Sequence, residues 1–169
     1  MDFLLLTTAL SHWLWTVIIA MLPLAELRGS MPYAIFVLKM NWQEALVLSI
    51  IGNFIPVIPF LFFLERFTER LMKYPRLNRF MTWTFNRTRS KSSAIEKFEA
   101  VGLALFVGVP LPLTGAWSGC IAAYLFRIPM RHSIPAIFAG ILIAGVVVTL
   151  VCLGVIQGAD IFLGHWGRR

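Results

Sequence analysis

Pro23-Leu24-Ala25-Glu26-Leu27-Arg28-Gly29-Ser30-Met31-Pro32 sets a carboxylate and a guanidinium two residues apart inside apolar sequence. Residues 3–25 contain no Asp, Glu, Lys or Arg, and neither do residues 29–38. The charged pair is therefore expected at membrane depth. An ionisable side chain at the bilayer centre costs roughly 2.5–3.5 kcal/mol on insertion scales, so it is expected to face protein or water and to carry a function. The flanking Pro23 and Pro32, with Gly29 between them, predict a broken backbone. Such a break is tolerated at this depth only where protein or a cavity covers it.

The rest of the composition agrees with a membrane location. Of 169 residues, 59% are hydrophobic and 14% charged, against about 25% charged in a soluble domain. The length suits a single membrane domain over residues 1–169. Cys120 and Cys152 lie in apolar stretches and read as small buried residues. His12, His132 and His165 are isolated, so no metal site is predicted. The N-terminus lacks the basic region and small-residue cleavage site of a signal peptide. No nucleophile–base pair, metal motif or phosphate loop appears, and Ser118 and Cys120 have no base near them in sequence. Neither an enzyme nor a cofactor is expected.

The formal charge of +7 is concentrated. Nine of the fifteen basic residues (Arg66, Arg70, Lys73, Arg76, Arg79, Arg87, Arg89, Lys91 and Lys97) fall within 65–99. Nucleic-acid binding is one reading of such a run. The positive-inside rule is the better one: a basic loop between membrane segments faces the cytoplasm and can attract anionic lipid. The chain is then a multi-pass protein of the cytoplasmic (inner) membrane. Within this loop, Glu65/Glu69 and Arg66/Arg70 are spaced i,i+4, with aromatics interleaved further on. That pattern predicts an interfacial amphipathic helix, a polar loop near 86–93, and a new helix from Ser92 or Ser93. The glycosylation pattern Asn86-Arg87-Thr88 reads as chance in a cytoplasmic loop.

Residues 14–24 and 31–38 are apolar pieces of about 12–17 Å at 1.5 Å per residue, half of a hydrocarbon core of roughly 30 Å. They suggest a re-entrant hairpin; a full span from Phe3 to Ala25 is the alternative. Residues 1–13 are either interfacial or the start of a span. Residues 45–64 are long enough to cross and carry Pro56 and Pro59, which predict a kink. Asn53 beside them is either an interhelical hydrogen-bonding residue or part of the wall of a substrate path. Residues 100–126 are again uncharged but broken at Gly108-Val109-Pro110-Leu111-Pro112-Leu113-Thr114-Gly115, a second re-entrant candidate. Arg127 and Arg131 follow, then an uncharged run over 133–159. The two Gly-x-x-x-Gly patterns, at 115–119 and 154–158, suggest close helix packing and permit a homodimer.

Offsetting the chain by 88 residues lays Glu26 on Thr114, Ala34 on Ala122, Phe36 on Tyr124, Lys39 on Arg127 and Gly52 on Gly140. The order of parts also recurs: half-helix, Pro/Gly turn, half-helix, basic residue, long span. The expected fold is an all-α integral membrane protein. It is an inverted repeat of two re-entrant helical hairpins, each followed by a full transmembrane helix, with an interfacial helix between. Repeat 1 is placed at 14–64, the basic linker at 65–99 and repeat 2 at 100–157. In secondary transporters of this plan, broken helices meet near the midplane and form the site.

The segments PLAELRGSMPYAI, GNFIPVIPF and VGVPLPLTGAWSGCIAAYLF resemble the small multidrug export protein family, over nearly the whole chain. That family is similar to the broader DedA-like membrane proteins. The DedA likeness implies two facing re-entrant hairpins, and proton-linked transport or movement of lipid phosphates between leaflets. By position, Glu26 matches that group's membrane-embedded acid, and Arg127 or Arg131 its functional arginines. The chain departs from the DedA pattern in Arg28 beside the acid and in the Pro-Leu-Pro turn.

Three readings follow. In a proton-coupled transporter, Glu26 carries the proton, and Arg28 and Thr114 hold an anionic group. In an uncoupled lipid flippase or scramblase, Arg28, Arg127 and Arg131 guide phosphate along a groove. In a scaffold, Glu26 and Arg28 only close the hairpin. The candidate site residues are Glu26, Arg28, Asn53, Thr114, Arg127 and Arg131. The hairpin tips are Pro23, Gly29, Pro32, Pro110, Pro112 and Gly115. The expected partners are membrane lipids, protons, a small-molecule or lipid-phosphate substrate and a second copy of the chain.

Overall fold

The structure, a computed structural model, describes residues 2–71, 93–110 and 114–166. Every regular element among them is helical, as the apolar runs predict. They are α1 (Asp2–Met21), α2 (Glu26–Pro32) with a π-helical continuation (Tyr33–Val37), α3 (Trp42–Phe54), α4 (Val57–Leu71), α5 (Ser93–Gly108), α6 (Ala116–Leu125) and α7 (Met130–Trp166). The start at Ser93 agrees with the sequence. The Asn86-Arg87-Thr88 loop, the rest of the expected interfacial helix beyond Leu71, and Pro112 lie outside the described residues.

Among the described residues, two helical runs are long and apolar enough to cross a membrane: Trp42–Arg66, which combines α3 with the start of α4, and Met130–Ile156 in α7. Their outer faces are bare hydrocarbon. Leu150 is 65% exposed, Val151 61% and Phe62 59%. In water that surface would be an aggregation patch; against acyl chains it is the normal exterior.

The outer legs are longer than the sequence suggests. The expected division between residues 1–13 and 14–24 is absent: α1 is one helix of 20 residues, about 30 Å at 1.5 Å per residue. The physical reason is that its polar residues bond back into the helix. The Ser11 hydroxyl donates to the Thr8 carbonyl at 2.7 Å and the Thr16 hydroxyl to the His12 carbonyl at 2.8 Å, so none of them needs a break. Likewise α5 has 16 residues and begins inside the expected linker, in place of the short leg 100–109.

The first break also sits earlier. It occupies residues 22–25, between α1 and α2, where Pro23 lies. Gly29 and Pro32, expected at the tip, lie within α2. Pro32 is tolerated because the helix widens behind it: the Leu38 amide donates to the Tyr33 carbonyl at 3.1 Å, a π-type turn. At the α3–α4 junction, where Pro56 removes an amide donor and the sequence predicts a kink, the helix is interrupted at residues 55–56.

Both short legs end alike. Lys39 and Arg127, 88 residues apart, have φ of 55° and 54°. Each is the left-handed residue that closes a helix and lets the chain turn back. The Ile128 amide reaches the Ala123 carbonyl at 2.9 Å and the Arg127 amide the Tyr124 carbonyl at 3.1 Å, the two bonds of a Schellman cap. The Met40 amide reaches Ala34 at 2.9 Å, one residue wider because of the π turn. The helices that follow begin at Trp42 and Met130, again 88 apart.

Glycine sets the closest approaches. A Cβ on Gly52 would lie 2.6 Å from the Val17 carbonyl oxygen, so α3 rests on the backbone of α1. A Cβ on Gly140 would lie 2.7 Å from the Ala104 carbonyl oxygen, so α7 rests on α5 in the same manner. Leu27, Met31, Ile137 and Ile141 are fully buried in the core where these layers meet.

Candidate functional site

Glu26 opens α2 from a left-handed backbone, φ 47°. That conformation costs a non-glycine residue roughly 1–2 kcal/mol and is found where surrounding structure enforces it. Its side chain is only 7% exposed. The carboxylate does not stop at its own hairpin; it crosses to the N-terminus of α6. Oε1 accepts the Trp117 amide at 3.4 Å, and the Ala116 amide is a second donor. Free N–H groups and the helix dipole make a helix N-terminus a natural seat for an anion.

Gly115 makes the seat possible. A Cβ there would fall on the carboxylate, 2.6 Å from its carbon. The sequence marks Gly115 as a turn residue; its further role is to leave space for Glu26.

Arg28 crosses in the same direction. Its guanidinium donates to the Thr114 carbonyl, to the Thr114 hydroxyl at 3.0 Å, and to the Val109 carbonyl at 3.5 Å. The Thr114 hydroxyl itself donates to Val109 at 2.7 Å. Val109 follows the end of α5, so Arg28 places positive charge at a helix C-terminus while Glu26 places negative charge at a helix N-terminus. Each charge of the Glu-Leu-Arg segment meets the dipole end of opposite sign.

Trp117 closes the ring of contacts. Its indole N–H donates to the Met21 carbonyl at 3.2 Å, at the end of α1. Its ring lies 4.7 Å from that of Phe60 on α4, centroid to centroid. Sequence reasoning missed Trp117 as a site member. The only available signal was the Gly-Ala-Trp stretch, which names a motif without saying what the indole reaches.

A cavity of about 520 Å³ opens over these groups. Glu26, Arg28, Thr114, Ser118 and Trp117 line its polar side, and Pro23, Leu24, Pro110 and Ile121 its apolar side. The residues that sequence assigns to the site therefore divide. Glu26, Arg28 and Thr114 are brought together. Asn53 is buried on α3 and does not line the cavity. Arg127 is exposed beyond the far end of α6, and ten residues of helix separate it from the tip by about 15 Å. Arg131 is exposed at the start of α7. The three arginines do not form one cluster.

The fold and this site define a helical membrane protein in which one acid and one arginine, Glu26 and Arg28, stand where two chain breaks meet. Residues 26–147 match the family model described as putative small multi-drug export protein, and the chain belongs to that family. No curated protein and no solved structure matches it.

Proposed function

We propose that this protein is a small exporter of the cytoplasmic membrane that couples substrate movement to protons through Glu26. The observation that carries this is the Glu26 carboxylate, buried at the N-terminus of α6 and facing a cavity large enough for a small organic molecule. A carboxylate on the boundary between two moving parts can exchange a proton with cavity water. Each exchange changes how strongly the two parts hold together.

In this reading the architecture is an inverted repeat. α1, α2 and α3 form one unit and α5, α6 and α7 the other, related by the offset that pairs Lys39 with Arg127 and Gly52 with Gly140. Broken tips entering from opposite leaflets would meet at Glu26, Arg28 and Thr114. The basic segment 65–99 lies on the cytoplasmic side under the positive-inside rule. Arg28 supplies fixed positive charge beside the carboxylate, and Leu24, Pro110 and Ile121 offer apolar surface. Together they suit an amphiphilic substrate. Transport, not catalysis, is the role these groups suit.

The test is reconstitution into liposomes with a pH gradient. Ethidium release and movement of a fluorescently labelled phospholipid are followed side by side. Gradient-driven ethidium movement that disappears in Glu26→Gln supports the proposal. Phospholipid movement that ignores both the gradient and the substitution would replace coupled export with passive lipid flipping.

A further inference from the structure

The hairpin that carries Glu26 also carries a buried amide, Asn53. Residues 38–41 join the α2 segment to α3, and a connection this short makes consecutive helices antiparallel neighbours. The register is set by one bond: the Ser30 hydroxyl donates to the Ser49 hydroxyl at 2.8 Å, and both residues are wholly buried. Extending that register by equal steps on both helices sets Ala34 level with Ala45 and, one helical turn beyond the serine pair, Glu26 level with Asn53. All six are buried, and the small residues along this seam let the helices come close.

Asn53 is 3% exposed, and its Oδ1 has no hydrogen-bond donor among the described residues. A buried acceptor without a donor costs about 1–3 kcal/mol. Pro56, one turn along, has no N–H to offer. An ionised carboxylate at the same level of the seam is also an acceptor. Only the protonated form of Glu26 has an O–H to offer Oδ1.

We infer that Asn53 is the positioning residue for the proton on Glu26, accepting the carboxylic O–H through Oδ1, directly or by way of one water. This rests on the proton-coupled reading above and extends it. The other charged or titratable side chains acting on Glu26 are Arg28, on its own helix, and Cys120 on α6. Cavity water supplies the proton and takes it back. The ionised carboxylate draws on the amides of Ala116 and Trp117 and so holds the two tips together. The neutral acid turns its O–H to Asn53 within its own hairpin and holds α6 less tightly. Asn53 thus decides where the proton-bound state of the latch comes to rest.

The experiment compares wild type, Glu26→Gln and Asn53→Leu, which removes the acceptor at similar volume. Each is reconstituted with ethidium as the probe, and infrared difference spectra are recorded across a pH step. Glu26→Gln identifies the protonated-carboxyl band. Asn53→Leu is expected to keep its Tm, lose about tenfold in gradient-driven rate, the worth of one hydrogen bond, and shift that band. Unchanged coupling with an unmoved band overturns the inference. Full coupling in Glu26→Gln instead overturns the underlying reading, so the two failures are distinguishable. If Asn53→Leu does not fold, isosteric Asn53→Asp takes its place. A Glu26 band that ignores the new carboxyl then overturns the inference, and a shared-proton band supports it.

Discussion

The backbone amide of Trp117 and Oε1 of Glu26 lie 3.4 Å apart across 91 residues of sequence. A side chain from the first broken segment caps a helix of the second. Arg28 answers it at the other polarity, on Val109 and Thr114. Each break is bonded across to the other half of the chain, and this interdependence makes the contact testable.

Gly115→Ala places a methyl group where the Glu26 carboxylate sits. It is expected to cost about 1–3 kcal/mol, the usual penalty of overpacking, seen as a lower Tm in detergent. Glu26→Ala removes the obstacle, so the double variant should be more stable than the two single losses predict. A double-mutant cycle measures this; additive losses would mean that the residues are not in contact.

Four glycines separate packing from flexibility. Gly52→Ala and Gly140→Ala each drive a Cβ into a carbonyl oxygen of the neighbouring helix, and each should cost about 1–3 kcal/mol. Gly102 and Gly154 have nothing within 4 Å of the added Cβ. Their alanine variants should be neutral or gain about 0.5–1 kcal/mol from reduced freedom of the unfolded helix. Thermal unfolding of all four in one detergent checks the pattern, and equal effects would refute it.

Lys39 and Arg127 carry a left-handed backbone that glycine adopts without strain. Lys39→Gly and Arg127→Gly should each stabilise by about 0.5–1 kcal/mol, read as a raised Tm. Because Arg127 stands at the far end of α6 from the cavity, ethidium export should survive Arg127→Gly. A stabilised but inactive Arg127→Gly would return that arginine to the substrate path.

Much of this was legible in the residues. The uncharged runs identify the spans, because apolar surface needs lipid or protein around it, whatever the fold. Pro56 predicts a kink where the helix is interrupted. The Pro/Gly groups predict two breaks, and Lys39 and Arg127 occupy matching places. Gly29 and Pro32 point to a break that the chain makes earlier, at residues 22–25, because a proline is tolerated inside a helix when a wider turn forms behind it. The polar residues of α1 look like an interface in sequence, yet they bond to their own backbone.

By itself, the sequence determined that this is a helical membrane protein with one acid and one arginine held in apolar surroundings. Hydrophobicity and backbone chemistry are local properties and can be read along the chain. Only the tertiary structure decided what the two charges do. Glu26 and Arg28 are neighbours in sequence and invite a salt bridge within their own hairpin, but helix ends carry half-charges that appear only once the helices have formed and met. Those ends, at Val109 and Ala116, belong to the other half of the chain.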